Sequence, residues 1–426
     1  MRLVRVIALF AVLALVAAAC GDDDGAPTGG GEIEVMWIRG ADHPEGQALI
    51  EVLDAFTAAT GVEVNYNGVG DDLATILSTR VTGGDPPDVA ILAQPGLLRD
   101  LVSRGAAQPV SQTVQDNMSA NYAQVWADLA TVDGTLYGVY FKAGNKSLVF
   151  YDVQVFEDLD ITPPTTWDEW IAVSQTLSDN GYTALAVAGA DGWTLSDWFE
   201  NAYVRTAGPE SYDALTNHEI PWTDQSVKDA LAVLEELIAN PEFVAGGRDG
   251  ALTTGFVQSI TTVFATGDAV MVEGPGDIAG IAKEEAGAEV GTDLDFFPFP
   301  SIDGSPPAVL GGGDVAVALT DNPGAMALLE FLSSVEGGEI GVENGFTSPN
   351  QNVDLSLYAD DLSRAIAEAL VNAEVFVFDL SDLVPAAFGG TAGAGIWGGL
   401  QNWLQNPDNV DAVLGQIEAE AAAAQG

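Results

Sequence analysis

Two stretches of the sequence place indole rings beside carboxylates, and a third puts a carboxylate at a strand end. GADGWTLSDWFENAYVR carries Trp193, Asp197 and Trp198 where a glycine turn leads into a helix-like run. MVEGPGDIAG puts Glu273 at the end of an apolar strand, before a turn containing Gly274, Pro275 and Gly276. FDLSDLVPAAFGGTAGAGIWGGLQNWL supplies Asp379, Ser381 and Asp382 ahead of a proline, then Trp397 and Trp403. Flat aromatic faces and planar hydrogen-bond acceptors suit a ligand with many hydroxyls and weakly polar C–H faces. Each residue also has an ordinary reading. Large aromatics are usually core, Trp193 and Trp198 are spaced so that they need not share a helical face, Asp197 reads equally as a carboxylate at a helix start, and Asp382 as a surface acid.

A fourth stretch, WIRGADHPEG, follows a short strand and combines Arg39, Asp42 and His43, a mix fit for a cleft wall, although His43 alone reads as a surface or capping residue. Basic residues are scarce, 13 Lys and Arg against 63 Asp and Glu, which makes Lys142 and Lys146 in VYFKAGNKSLVFYD conspicuous. The net charge of −50 disfavours nucleic acid and direct binding to an anionic membrane surface, and fits neutral or cationic ligands. With only His43 and His218 and the single Cys20, a Ser/His or Cys/His nucleophile system has few parts. No HExxH, Walker loop, paired CxxC or EF-hand spacing occurs, so no cofactor is expected and no residues are assigned to a metal, a calcium site among so many acids staying open. A carboxylate-pair glycosidase stays open on composition alone.

The chain begins MRLVRVIALFAVLALVAAACGDDDGAPTGGGE. Arg2 and Arg5 precede an apolar run from Val6 to Ala19, shorter than the roughly 20 residues of a membrane span and laid out as an export signal. VAAAC resembles the lipobox of bacterial lipoprotein signals, with Ala17 where leucine is commonest. That resemblance implies lipidation of Cys20 after removal of residues 1–19, with residues 20–31 as a polar, glycine-rich tether. The protein is then exported, held at the outer face of the cell membrane or in the periplasm, and touches the membrane only through its lipid.

Roughly 395 residues follow, more than a single core of roughly 250 to 300 residues accommodates. EIEVMWI (Glu32 to Ile38), QALIEVLDAFTAAT closed by Gly61, VEVNYNGV (Val62 to Val69), a helix opened by Asp71 or Asp72, and an apolar strand from Val89 to Leu92 form the strand–helix alternation of an open α/β sheet. A long strand near Tyr137 starts a second such series.

In order, the lipobox, GDPPDVAILAQPGLL, VYFKAGNKSLVFYD followed by TPPTTWDEW, FATGDAVMVEGPGDIAG, SPPAVLGGGDVAVALT and FTSPNQNVDLSLY resemble the extracellular solute-binding proteins of ABC sugar importers, the maltose-binding-protein-like family 1, and most closely its α-glucoside-binding branch. The resemblance implies an α/β, two-lobed periplasmic-binding-protein-like fold with a ligand cleft and hinge. Lobe 1 would comprise 32–141 and 314–350, and lobe 2 142–313 and 351–426. Crossings would fall near Tyr140 to Ala143, Leu310 to Gly313 and Thr347 to Asp354, with Gly311, Gly312 and Gly313 serving as a hinge or a plain loop.

On the same resemblance Trp397 holds the place of a stacking aromatic, ahead of Trp403, and Lys142 donates to a sugar hydroxyl or pairs with a carboxylate. The turn at Glu273 faces the ligand but lacks the aromatic that maltose-binding protein carries there. The function implied is non-enzymatic: a monomeric receptor that captures an α-glucoside or small oligosaccharide and delivers it to permease subunits. A polyol or quaternary-ammonium osmolyte and a secreted glycosidase are the alternatives.

Overall fold

The computed structural model describes residues 31–425; the signal, Cys20 and nearly all of the tether lie outside the described residues. Strand Glu32–Trp37 pairs in parallel with Glu63–Gly68 on one side and Val89–Leu92 on the other. Between them runs helix Pro44–Thr60, stopped by Gly61 in the left-handed conformation (φ 75°), where the absence of a Cβ removes the steric cost. Helix Leu73–Gly83 begins after Asp72, whose side chain makes no capping hydrogen bond. Strand Val89–Leu92 is buried along its whole length, as a strand covered on both faces must be.

The sheet continues to Ala308–Ala318 and then Val375–Phe378, with Gly138–Asn145 also pairing against Ala308–Ala318. A second sheet, in the order Leu294–Pro298, Leu148–Asp152, Met271–Gly274, Leu185–Ala186, centres the other lobe. The two largest hydrophobic clusters centre on different sheets: one gathers Trp37, Phe56, Leu92 and Val317, the other Trp170, Trp198, Trp222 and Trp403. In the second, Trp170 and Trp198 stack with ring centroids 5.4 Å apart while Phe299 meets both edge-on.

The three segments where crossings are expected lie side by side. Gly311, Gly312 and Gly313 face Asn145, Gly144 and Ala143 in register, and the Ala143 amide donates to the Thr347 carbonyl at 2.8 Å. The glycine run is therefore a strand and not a loop. Its glycines are needed for space: a Cβ on Gly311 would sit 2.3 Å from the Phe376 ring, and one on Gly313 2.8 Å from the Lys142 carbonyl oxygen.

Candidate ligand-binding site

Helix Trp193–Ala207 crosses the second lobe almost fully buried. Spacing by four residues lines Trp193, Asp197, Asn201 and Arg205 along one face. Gly192 precedes the helix with φ 81° and packs so closely that a Cβ there would be 2.7 Å from the Trp397 Cβ. Trp397 therefore packs against the residue that precedes Trp193; both tryptophans are half-buried, Trp397 at the edge of the second-lobe core, whereas no core cluster among the described residues contains Trp193.

Lys146 extends from the end of strand Gly138–Asn145 into this helix. Its ammonium lies 3.2 Å from Asp197 Oδ1, pairs with Asp379 Oδ2, and stands 5.4 Å from the centroid of the Trp193 ring. Burial opposes its charge, but Asp197 and Asp379 outweigh that and hold the ammonium well above its ordinary range. Asp379, also held by the Ser381 hydroxyl at 2.7 Å, is buried too, yet Lys146 keeps its carboxyl below the usual value. Asp197, Glu273 and half-buried Asp382 are pushed well above theirs, each chiefly by burial; Asp379 adds to the shift at Asp197 and Asp382, and Asp197 adds to it at Glu273.

Asn201 ties the group together. Its Nδ2 donates to the Lys146 carbonyl at 2.8 Å and to Glu273 Oε1 at 3.2 Å, while its Oδ1 accepts from Ser147 Oγ at 2.5 Å. One carboxyl oxygen of Glu273 is held by Asn201, and one of Asp197 by Lys146. The other oxygens, Oδ2 and Oε2, are buried without a hydrogen-bond partner, and so is Trp397 Nε1. Buried polar atoms are normally paired, so the two carboxyl oxygens in the surroundings of Lys146 leave hydrogen-bonding capacity unused, as does the indole N–H of Trp397 on the segment packed against Gly192.

The first lobe contributes a second charged group. Lys142 Nζ pairs with Glu45 Oε1 at 2.5 Å and Asp314 Oδ2 at 3.2 Å, Arg39 Nε meets Glu45 Oε2 at 2.8 Å, and Trp37 Nε1 donates to Asp314 Oδ1 at 3.0 Å. Burial would raise the Glu45 carboxyl, but Lys142 and Arg39 bring it down to about 2. Asp277, half-buried just past the Glu273 turn, has its carboxyl raised by burial and by the charge of Glu45, so the turn of one lobe reaches the charged group of the other.

The expected site residues divide accordingly. Trp193, Asp197, Glu273 and Asp382 gather around Lys146, and Trp397 packs against Gly192 at the start of the same helix; Arg39 and Lys142 belong to the facing group, where Lys142 takes the carboxylate partners. Two expectations need correction. Trp198 is 1% exposed and stacked on Trp170, because its place on the helix turns it into the core. Asp42 is exposed and enters none of these pairs, and His43 caps helix Pro44–Thr60 by accepting from the Glu45 amide at 3.2 Å. Asn201, Glu45, Asp277 and Asp314 escaped the sequence reading; of these only Asn201 carried a signal, the four-residue spacing from Asp197.

Two lobes, each with an α/β sheet, strands crossing between them and polar groups converging from both sides define a solute receptor. Residues 40–339 match the bacterial extracellular solute-binding protein family, and the chain belongs to it. Over 383 residues it is 38% identical to the osmoprotective compounds-binding protein GgtB of Synechocystis sp., covering 87% of this chain and 88% of that one. It is 33% identical over 405 residues to the alpha-glucosides-binding periplasmic protein AglE of Rhizobium meliloti, covering 91% and 87%. Among solved structures, the solute receptor AcbH, described as exclusive for β-D-galactopyranose, superposes with a TM-score of 0.81 at 20% identity over 93% of this chain and 99% of that one. RafE from Streptococcus pneumoniae in its apo form gives 0.74 at 19% over 94% and 100%. The sequence relatives are solute-binding proteins, not enzymes.

Proposed function

We propose that this protein, the substrate-binding component of an ABC importer, captures a neutral glycoside of the α-glucoside class. The observation that supports this reading is the pair of buried, unpartnered carboxyl oxygens, Asp197 Oδ2 and Glu273 Oε2, beside the half-buried rings of Trp193 and Trp397. Carboxyl oxygens accept from sugar hydroxyls, the Trp397 N–H donates to one, and the indole faces take the C–H face of a pyranose. A quaternary ammonium fits less well, because the Lys146 ammonium already stands over the Trp193 ring, where such a cation would sit in an aromatic cage.

Ligand binding across the lobes shifts an open–closed equilibrium toward the closed form, which the permease subunits receive. Cys20 carries the lipid, residues 32–141 with 314–350 and residues 142–313 with 351–426 move as lobes, and the receptor acts as a monomer. Similarity to AglE supports the α-glucoside class; similarity to GgtB supports an osmoprotective solute as the second reading. Thermal unfolding against trehalose, sucrose, maltose, glycerol and betaine separates the two, since a ligand that binds only the native state raises the midpoint. A rise with an α-glucoside recovered uncleaved supports the proposal; a rise with betaine alone replaces its substrate.

A further inference from the structure

We propose that Phe256 is the aromatic wall that sets the ligand length this cleft prefers, a role that rests on the carbohydrate reading above. Its ring is half-buried and meets Trp193 edge to face, centroids 4.9 Å apart at 61°. Its amide donates to Asp191 Oδ2 at 2.6 Å, and the Gly189 and Ala190 amides donate to the carbonyls of Ala251 and Thr254 at 2.8 and 3.1 Å. The start of helix Phe256–Phe264 is therefore tied to the loop that presents Trp193. On its other side, the ring's Cε2 lies 3.4 Å from the place a Cβ of Gly274 would take. Phe256 thus bridges the two elements that carry Trp193 and Glu273, and supplies an aromatic ring beside a turn whose own residues, Gly274, Pro275 and Gly276, offer none.

Trp193 has unlike neighbours on its two sides. Toward Lys146, Asp197 and Glu273 the surroundings are buried and polar. Toward Phe256 they are apolar, the half-buried Phe256 ring resting on the cluster that holds Ile260, Val272 and Ile278 while the next residue, Val257, is 47% exposed. A glycosyl unit held by hydrogen bonds at the polar end extends its second unit, a sugar or polyol, along Trp193 to Phe256. A monosaccharide fills the polar end and leaves Phe256 untouched.

Titration calorimetry of the full chain with D-glucose and with maltose, sucrose and trehalose tests this. Phe256→Ala should weaken the best-bound disaccharide by about tenfold or more while glucose stays within about threefold, because an aromatic contact of this kind is worth around one decade in affinity. Phe256→Tyr should keep both, and Val257→Ala, on the exposed neighbour, should change neither. Should Phe256→Ala fail to fold, Phe256→Leu keeps the bulk without the ring and should show the same selective loss. A disaccharide-to-glucose ratio unchanged in a folded Phe256→Ala or Phe256→Leu protein overturns the role of Phe256 alone. Wild-type protein that binds none of these sugars overturns the carbohydrate reading and this role with it.

Discussion

Lys146 and Asp197 meet at 3.2 Å through only one oxygen of the carboxyl, and the second oxygen is buried without a partner. Lys146 thus holds Asp197 in place without satisfying it. Asp197→Ala should cost about 0.5 to 1.5 kcal/mol of ligand affinity, the range for an ordinary hydrogen bond, since burial pushes this carboxyl toward its neutral form. Lys146→Met leaves Asp197 and Asp379 buried without their cation and should destabilise the fold by about 3 to 5 kcal/mol, read by denaturant unfolding.

The three tryptophans of the candidate set should separate in experiment. Trp193→Ala and Trp397→Ala remove half-buried rings that the proposed function assigns to the ligand, and should weaken binding by about 1 to 3 kcal/mol with the fold retained. Trp198→Ala removes a ring stacked on Trp170 and should cost about 3 to 5 kcal/mol of stability. Unfolding and binding measured on the same variants distinguish these outcomes.

The Glu45 carboxyl, lowered from 4.5 to about 2 by Lys142 and Arg39 against the opposing effect of burial, links stability to pH. A depressed carboxyl stabilises the native state fully above its ordinary value, and that contribution disappears as pH falls through the folded value. The loss should therefore fall between pH 4.5 and about 2. Glu45→Gln should flatten the pH dependence in that window, and an unchanged profile would show that Glu45 is not coupled to folding.

Gly311 and Phe376 share a space that admits one of two atoms. Gly311→Ala places a Cβ 2.3 Å from the ring and should cost about 1 to 3 kcal/mol by overpacking. Adding Phe376→Ala should recover part of that cost, giving a non-additive cycle of the kind contacting residues show.

Local patterns in the sequence carried the strand and helix order, the Gly61 stop and the placement of Trp193 and Asp197 at a helix start, because period and capping are local properties. Pairings between distant segments were not legible. Lys146 finds Asp379 across 233 residues, and Asp314 finds Trp37 across 277; only the assembled sheet brings these groups together. Phe256 sat inside an apolar helical stretch with nothing to set it apart, and Trp198 differed from Trp193 only in helical phase. The glycines at 311–313 suggested freedom of movement, whereas the fold uses their lack of side chains.

Equilibrium titration of the protein with an α-glucoside and, separately, with glycine betaine tests the central claim most directly. The account predicts saturable one-to-one binding of the intact glucoside, weakened by Asp197→Ala and by Trp397→Ala, and no competition from betaine. Binding of betaine with no binding of any glucoside would contradict it.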